Sequence, residues 1–190
     1  MCRTPRIGAN KTRLAKQIGA VKTWQFYQGV LTSTANRLSR SCQWHTILYV
    51  TPKKDARNTK QWPINSHKPL YQGAGDLGTR MTLGLTQFAR GTPVILIGSD
   101  IPNIRVSIIQ KVFQYLKSAD IVFGPATDGG FWLIGFSNRK KIYKPFVNVK
   151  WSDRNTLADT LINLKHRHVI ITKEMQDIDN KEDYDRFISN

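Results

Sequence analysis

The sequence predicts an α/β protein with a doubly wound, mostly parallel sheet that carries helices on both faces. Short apolar runs of strand character alternate along the chain with amphipathic stretches of helical period. Residues 93–97 (PVILI) are apolar throughout and end in a polar turn, which is typical of a parallel strand buried on both faces. Because 190 residues can enclose one substantial core, we expect a single domain over residues 1–190.

Each predicted element rests on a local pattern. The strand segments are short and rich in apolar and β-branched residues, and they are residues 45–50, 93–97, 121–123, 131–136 and 168–172. The helical segments repeat apolar residues every three or four positions. They lie within residues 11–38, with a break at Gly19, and at residues 76–90, 103–116, 153–165 and after Asp179.

The charge of the chain favours an anionic partner. There are 29 Lys and Arg against 13 Asp and Glu, and the net charge of +16 attracts phosphates, nucleic acid or acidic membrane surfaces. The basic residues are scattered rather than gathered in one tail, so a generally basic composition is an equal alternative. Nucleic acid stays an open alternative as a partner.

The cysteines and the hydropathy pattern indicate in which cellular compartment the protein is expected. Cys2 and Cys42 are far apart and form no Cys-x-x-Cys motif, which fits a reducing compartment. No apolar run approaches the ~20 residues that a membrane span needs, and the first residues lack the apolar stretch of a signal peptide. We therefore expect a cytoplasmic protein without a membrane span.

A basic, glycine-containing loop at residues 5–14 (PRIGANKTRL) leads into the first predicted helix. Gly8 leaves backbone amides accessible, the helix dipole favours an anion, and Lys11 and Arg13 add charged donors. The segment predicts a phosphate contact, and a solvated basic turn is the alternative.

A second glycine-rich segment spans residues 72–81 (QGAGDLGTRM). Gly73 allows the backbone to approach a ligand, and Gln72 offers both a donor and an acceptor to the edge of a nucleobase. Asp76 either lines this nucleotide pocket or caps the next helix, because an acidic residue before an apolar run is a common N-cap.

Two carboxylates follow predicted strands, and an open α/β sheet binds its ligands beyond the carboxyl ends of the strands. Asp100, in GSDIP, is the predicted ligand of Mg²⁺ (or Mn²⁺), which prefers hard oxygen donors; a turn or helix cap is the alternative. Asp128, in GPATDGG, is a second metal ligand or an acceptor-side carboxylate, with a plain hairpin as the alternative.

Several polar positions near the end of the chain have a simpler expected role, as helix caps or surface residues. Ser152 and Asp179 are expected to cap helices, although the close carboxylates of Asp177 and Asp179 suit a metal as well. His166 and His168 lack Cys or carboxylate partners at metal spacing, and we expect them at the surface.

Taken in order, these segments resemble a bacterial family of GT-A-like glycosyltransferases, of the type associated with radical-SAM and selenodomain proteins. The resemblance covers nearly the whole chain, from PRIGANKTRLAKQIG through QGAGDLGTRM, GSDIP and GPATDGGFWLIG to WSDRNTLADT and DIDNKEDYDRF. The wider relatives include the molybdenum-cofactor and phospholactate guanylyltransferases. The resemblance implies a three-layer, Rossmann-like fold of the nucleotide-diphospho-sugar transferases.

The resemblance also implies roles for individual residues. Asp100 would hold the metal, and Asp128 would face the acceptor or the same metal. Asp128 and Lys11 are the residues to which it gives catalytic roles. The residues implied to bind the nucleotide or its phosphates are Gly8, Lys11, Arg13, Gln72, Gly73 and Asp76.

Two departures from the family pattern stand out. A GT-A glycosyltransferase usually presents Asp-x-Asp to its metal, whereas here the triplet is Gly98-Ser99-Asp100. Relatives also place a full apolar strand before the phosphate loop, whereas this chain has only residues 1–4 there. We expect a truncated first strand, either from a misplaced start codon or in a shortened and inactive copy.

The function expected from these observations is metal-dependent transfer from a nucleotide-activated donor. The favoured donor is a nucleotide-sugar, which makes the protein a glycosyltransferase for an unspecified acceptor. One alternative is a guanylyltransferase-like nucleotidyltransferase that joins a nucleoside triphosphate to a phosphorylated acceptor. Another is a degenerate, non-catalytic protein that binds phosphate or nucleic acid.

Overall fold

The computed structural model describes residues 1–58, 62–63, 67–102, 104–142 and 144–189. The strands are β1 Cys2–Arg3, β2 Tyr49–Thr51, β3 Leu70–Tyr71, β4 Val94–Ile97, β5 Ile121–Pro125, β6 Phe131–Phe136 and β7 Val169–Ile171. The helices are α1 Thr12–Ile18, α2 Ala20–Ser39, α3 Lys53–Ala56, α4 Leu77–Thr86, α5 Val106–Tyr115, α6 Thr156–Asn163 and α7 Lys181–Ile188. Contacts divide the chain into two compact units: Met1–Tyr71, Ser99–Arg105 and Asp177–Asn190 form the first, and Gln72–Gly98 and Val106–Gln176 form the second.

The first unit is built on a parallel three-stranded sheet in the order β1-β2-β3. Cys2 of β1 pairs with Val50 of β2, which has no exposed surface. Leu31 and Ala35 lie one helical turn apart on α2, so this helix presents one apolar face to the core of the unit. The buried residues of that core are Cys2, Leu31, Ala35, Leu48, Val50 and Trp62.

A second apolar cluster of the first unit connects both ends of the chain. Leu14 of α1 packs with Ile178 and with Tyr184 of α7. Phe26 of α2 meets Tyr184 edge to face, with the ring centroids 5.3 Å apart. Gly19 separates α1 from α2 with a φ of 91°, so the predicted break lies where the sequence placed it. These contacts hold the segment before α7 next to α1.

The second unit contains a four-stranded sheet in the order β4-β6-β5-β7. β6 runs antiparallel to both of its neighbours, and β7 runs parallel to β5. The core of this unit consists of the buried residues Leu85, Ile121, Phe123, Ile134, Phe136, Ile142 and Leu164. Phe123 and Phe136 are fully buried because β5 and β6 are the two central strands of the sheet.

The predicted α/β fold class is confirmed, and three of the five strand pairings among the described residues are parallel. The prediction for residues 93–97 is wrong in two respects, the direction of the strand and its burial. β4 is antiparallel to β6 and only half-buried, because it forms an edge of the four-stranded sheet. The first strand is short, as expected, with only Cys2 and Arg3 in β1. The single-domain organisation stays a prediction.

The helix α3 was not predicted, and α2 extends one residue beyond the predicted segment, to Ser39; the other helices lie within the predicted segments and are shorter. α4 ends at Thr86 rather than at Arg90, and α5 begins at Val106. The start predicted for α5, Asn103, lies outside the described residues. Within the described part of the chain, no helix combines the length and the apolar character that crossing a bilayer requires.

The loop between β5 and β6 depends on a glycine. Gly129 has a φ of 86°, and a Cβ placed there would lie 2.1 Å from the backbone oxygen of Arg154. The carbonyl of Gly129 accepts a hydrogen bond from the amide of Leu157 in α6 at 3.0 Å. The loop backbone therefore packs directly against the start of α6.

Replacing this glycine should destabilise the protein. Gly129→Ala combines a left-handed backbone with a steric clash, so we expect a loss of about 3 kcal/mol or more in the free energy of unfolding, measured by urea denaturation. Gly91→Ala is the matched control, because Gly91 has a φ of 83° but nothing within 4 Å of its Cβ position. The control should lose only about 1 kcal/mol; equal losses would contradict the packing described for Gly129.

The two cysteines should differ sharply in reactivity. Burial raises the pKa of Cys2 to about 11, whereas Cys42 is exposed. Because the thiolate is the nucleophile, iodoacetamide near pH 8.5 should label Cys42 and leave Cys2 unmodified until urea is added. Mass spectrometry counts the labels, and Cys42→Ser should take up none while native. Rapid double labelling of the native protein would show that Cys2 is accessible.

Candidate functional site

The loop that follows β1 is shaped by its own hydrogen bonds. The side chain of Asn10 accepts a bond from the amide of Arg6 at 2.9 Å, and the amide of Ala9 donates to the carbonyl of Arg6 at 3.1 Å. Gly8 adopts a φ of 75° and Lys11 a φ of 50°. The loop turns back on itself and ends with Lys11 at the N-cap of α1.

Lys11 forms the central ion pairs of the site. Its Nζ lies 2.9 Å from Oδ2 of Asp100 and 2.5 Å from Oδ1 of Asp179, and only 8% of its side chain is exposed. Burial opposes the charged form, but the two carboxylates outweigh it and raise the pKa of Lys11 above its ordinary value. Lys11 is therefore a buried ammonium that is held by two acids.

Asp100 is positioned by side chains of α2 on both sides of it. The hydroxyl of Tyr27 lies 3.0 Å from the hydroxyl of Ser99, and burial raises the pKa of Tyr27 to about 12. The guanidinium of Arg37 donates to the carbonyl oxygen of Ile104 at 2.7 Å. Because these contacts flank Asp100 in sequence, they fix the backbone from which its carboxylate projects.

The segment before α7 brings two further carboxylates to Asp100. Asp177 and Asp179 flank the buried Ile178, and one carboxylate oxygen from each of the three acids lies within 4.8 Å of the others. Hard oxygen donors, partly accessible and contributed by carboxylates, are what Mg²⁺ or Mn²⁺ requires. The three carboxylates therefore fit the predicted Mg²⁺ or Mn²⁺, and Asp177 and Asp179 are candidate ligands together with Asp100.

The expected capping roles at two positions are wrong. Asn180 caps α7 by accepting a hydrogen bond from the amide of Asp183 at 2.9 Å, which leaves the side chain of Asp179 paired with Lys11. At α6 the N-cap is Asn155 rather than Ser152. In both places several polar residues precede the helix, and the backbone geometry determines which of them is the N-cap.

An acid for which no role was predicted anchors the loop after β1. Asp55 of α3 is buried, and Nη2 of Arg6 lies 2.8 Å and 3.0 Å from its two carboxylate oxygens. The hydroxyl of Thr4 donates to the same carboxylate at 2.6 Å. Asp55 therefore ties the start of the loop after β1 to α3, the helix that follows β2. Nothing local in the sequence signals a contact between positions this far apart.

The glycine-rich segment after β3 belongs to the second unit. Gln72 is buried, and its Oε1 accepts a hydrogen bond from Arg80 at 3.2 Å. Asp76 caps α4 by accepting from the amide of Thr79 at 2.7 Å, and that bond lowers the pKa of Asp76. The capping alternative is thus confirmed. The nucleotide contacts of Gln72, Gly73 and Asp76 stay predictions.

Asp128 also lies in the second unit, in the loop that joins β5 to β6. Its Oδ1 accepts a hydrogen bond from the amide of Gly130 at 2.9 Å. The loop connects two antiparallel strands, so the hairpin alternative is confirmed. A catalytic or metal role for Asp128 stays a prediction. His166 and His168 are exposed, as expected.

The fold is shared with solved structures. A crystal structure described as a "putative nucleotide-diphospho-sugar transferase" from Desulfovibrio desulfuricans G20 is similar at a TM-score of 0.85 and 25% identity, over 98% of this chain and 83% of that chain. This similarity confirms the fold class that the sequence predicts.

Two further crystal structures are similar in fold at lower identity. Rv0371c from Mycobacterium tuberculosis H37Rv has a TM-score of 0.52 and 16% identity, over 100% of this chain and 94% of that chain. Molybdopterin-guanine dinucleotide biosynthesis protein A from Archaeoglobus fulgidus has a TM-score of 0.50 and 12% identity, over 97% and 93%. At these identities the two structures bear on the fold alone.

The sequence also matches a protein family. Residues 34–153 match DUF2064, "Uncharacterized protein conserved in bacteria", and the chain belongs to this family. The match includes Gln72, Gly73, Asp76, Asp100 and Asp128. A comparison with curated proteins gave no match.

The ion pair between Lys11 and Asp179 should be measurable as a coupling energy. In a double-mutant cycle of Lys11→Met and Asp179→Asn, unfolded by urea in EDTA, we expect about 1–2 kcal/mol, since Lys11 is buried and Asp179 is partly exposed. Arg186 and Glu182, an exposed pair 3.1 Å apart on α7, provide the control cycle. The control should give less than about 0.5 kcal/mol. Equal coupling in the two cycles would mean that the Lys11 pair is an ordinary surface contact.

Proposed function

We propose that this chain is a metal-dependent transferase that uses a nucleotide-activated donor, most simply a glycosyltransferase with a nucleotide-sugar. The observation that carries the proposal is the set of three neighbouring carboxylates, Asp100, Asp177 and Asp179, of which Asp100 and Asp179 contact the buried ammonium of Lys11. The similarity at a TM-score of 0.85 to the Desulfovibrio protein supports the choice of donor.

The proposed ligands of Mg²⁺ or Mn²⁺ are Asp100, Asp177 and Asp179. A divalent cation bound there would offset the charge of the donor diphosphate and of the nucleoside diphosphate that leaves. The triplet at residues 98–100 supplies only one acid, whereas Asp177-Ile178-Asp179 supplies two. A pair of acids separated by one residue, which glycosyltransferases of this fold usually present, is therefore found in a different part of the chain.

The phosphates of the donor would contact the loop after β1. Lys11 carries its full charge because its pKa is raised, and Arg13 is exposed one residue inside α1. Arg6 is 46% exposed, and Asp55 holds its guanidinium in place. Positive groups that are already oriented stabilise the developing charge of a leaving phosphate without reorganising at the moment of reaction.

The remaining roles follow the family resemblance. Gln72, Gly73 and Asp76 would line the nucleotide pocket, and Gly8 would leave backbone amides open to a phosphate. Asp128 would act on the acceptor side or on the metal. The acceptor itself is left open in this proposal.

Binding of a donor can be tested by thermal denaturation. A nucleotide-sugar with MgCl₂ should stabilise the native protein, by about 2.7 kcal/mol at a concentration 100-fold above its Kd, and EDTA should remove most of that effect. Asp100→Asn should lose the Mg²⁺-dependent part. Glu182→Gln, which removes an exposed acid outside the site, should behave as the unmodified protein does. Full Mg²⁺-dependent stabilisation of Asp100→Asn would show that Asp100 is not a metal ligand.

The products distinguish the kinds of transfer. Glycosyl transfer releases a nucleoside diphosphate from a nucleotide-sugar, whereas nucleotidyl transfer releases pyrophosphate from a nucleoside triphosphate. Stabilisation by triphosphates alone, with pyrophosphate release, would replace the proposal by nucleotidyl transfer. Binding of any oligonucleotide that falls steeply with salt and ignores Mg²⁺, without donor binding, would indicate a non-catalytic anion-binding protein.

A further inference from the structure

Lys11 occupies the position that the proposed metal requires. Its ammonium contacts Asp100 and Asp179, which are two of the three proposed metal ligands, and it is almost fully enclosed. Opposite charges at this distance attract strongly because little solvent screens them. The ammonium therefore acts as an internal counter-ion that keeps the carboxylates together.

A divalent cation and the ammonium compete for the same carboxylates. Mg²⁺ binds carboxylate oxygen at about 2.0–2.1 Å, so a cation on Asp100 and Asp179 would face the positive charge of Lys11 at very short range. Repulsion between the two cations opposes binding of the metal alone. Metal binding is favoured only if Lys11 leaves at least one carboxylate.

Once it leaves the carboxylates, Lys11 needs another anion. An unpaired ammonium in a site with 8% exposure would lose solvation without compensation. Lys11 closes the loop that contains Gly8, two residues before Arg13, and the proposed donor brings a diphosphate to that loop. A phosphate oxygen can replace a carboxylate oxygen as the partner of the ammonium.

We propose that Lys11 exchanges partners, from Asp100 and Asp179 to a donor phosphate, when a divalent cation takes the two carboxylates. The inference rests on the proposed function and adds a specific property to it. The metal releases Lys11 from the carboxylates so that it can bind the diphosphate, and the diphosphate draws Lys11 away from the metal ligands. Each ligand therefore increases the affinity of the protein for the other by the same factor. The site then binds the metal and the donor together, and binds the metal alone weakly.

Calorimetric titration of MgCl₂ alone tests the competition directly. Lys11→Met removes the ammonium, so it should bind Mg²⁺ about tenfold or more tightly than the unmodified protein. Lys16→Met is the matched control, because it removes one exposed positive charge from the same helix and should stay within about twofold. Equal or weaker Mg²⁺ binding by Lys11→Met, or no binding by either protein, would overturn the exchange. Circular dichroism confirms that each variant is folded.

Titration of uridine and guanosine diphosphate tests the second half of the exchange. Mg²⁺ should raise the affinity of the unmodified protein for the diphosphate at least about tenfold, and this factor should shrink in Lys11→Met. An undiminished factor in Lys11→Met would overturn the exchange while leaving nucleotide binding intact. A failure of every nucleotide to bind would instead count against the proposed function, and the titration with Mg²⁺ alone would still decide the competition.

Discussion

The first unit depends on one buried positive charge. Lys11 lies near the start of the chain, and its ammonium contacts Asp100 and Asp179, the second of which is 168 positions away in sequence. A buried ammonium without such partners is strongly unfavourable, so the segments that carry the two acids are held against the loop after β1. The same ion pairs bring together the groups of the proposed site, so local stability and the proposed chemistry would depend on the same contacts.

The proposed metal site would account for the departure from the expected metal motif. In the triplet Gly98-Ser99-Asp100 a single acid remains, and read alone it casts doubt on a metal site. In the proposed metal site Asp177 and Asp179 would supply the further acids, and the packing of Ile178 against Leu14 holds their segment in place. The apolar contact and the polar set are therefore parts of the same segment, and a substitution at Ile178 would disturb both.

The sequence predicted the fold where local pattern is sufficient. The cap of α4 at Asp76, the break at Gly19 and the hairpin around Asp128 all follow from short-range chemistry. The strand β3, which has only two residues, was not predicted because a segment this short carries no pattern of its own and is extended by its pairing with β2. The partners of Lys11 and Asp55 were not predicted either, because a contact between distant positions leaves no local periodicity or motif in the sequence.

The burial of Asp55 has a consequence for how ligands approach. Asp55 is the only acidic residue among residues 1–71, and it is enclosed by Arg6 and Thr4. Over the residues of this stretch that the structure describes, the surface therefore displays lysines and arginines and almost no carboxylate, since only 11% of the Asp55 side chain is exposed. Anions of any kind are concentrated by such a surface. The local field selects for charge only, so discrimination among anions depends on shape and hydrogen bonding after arrival.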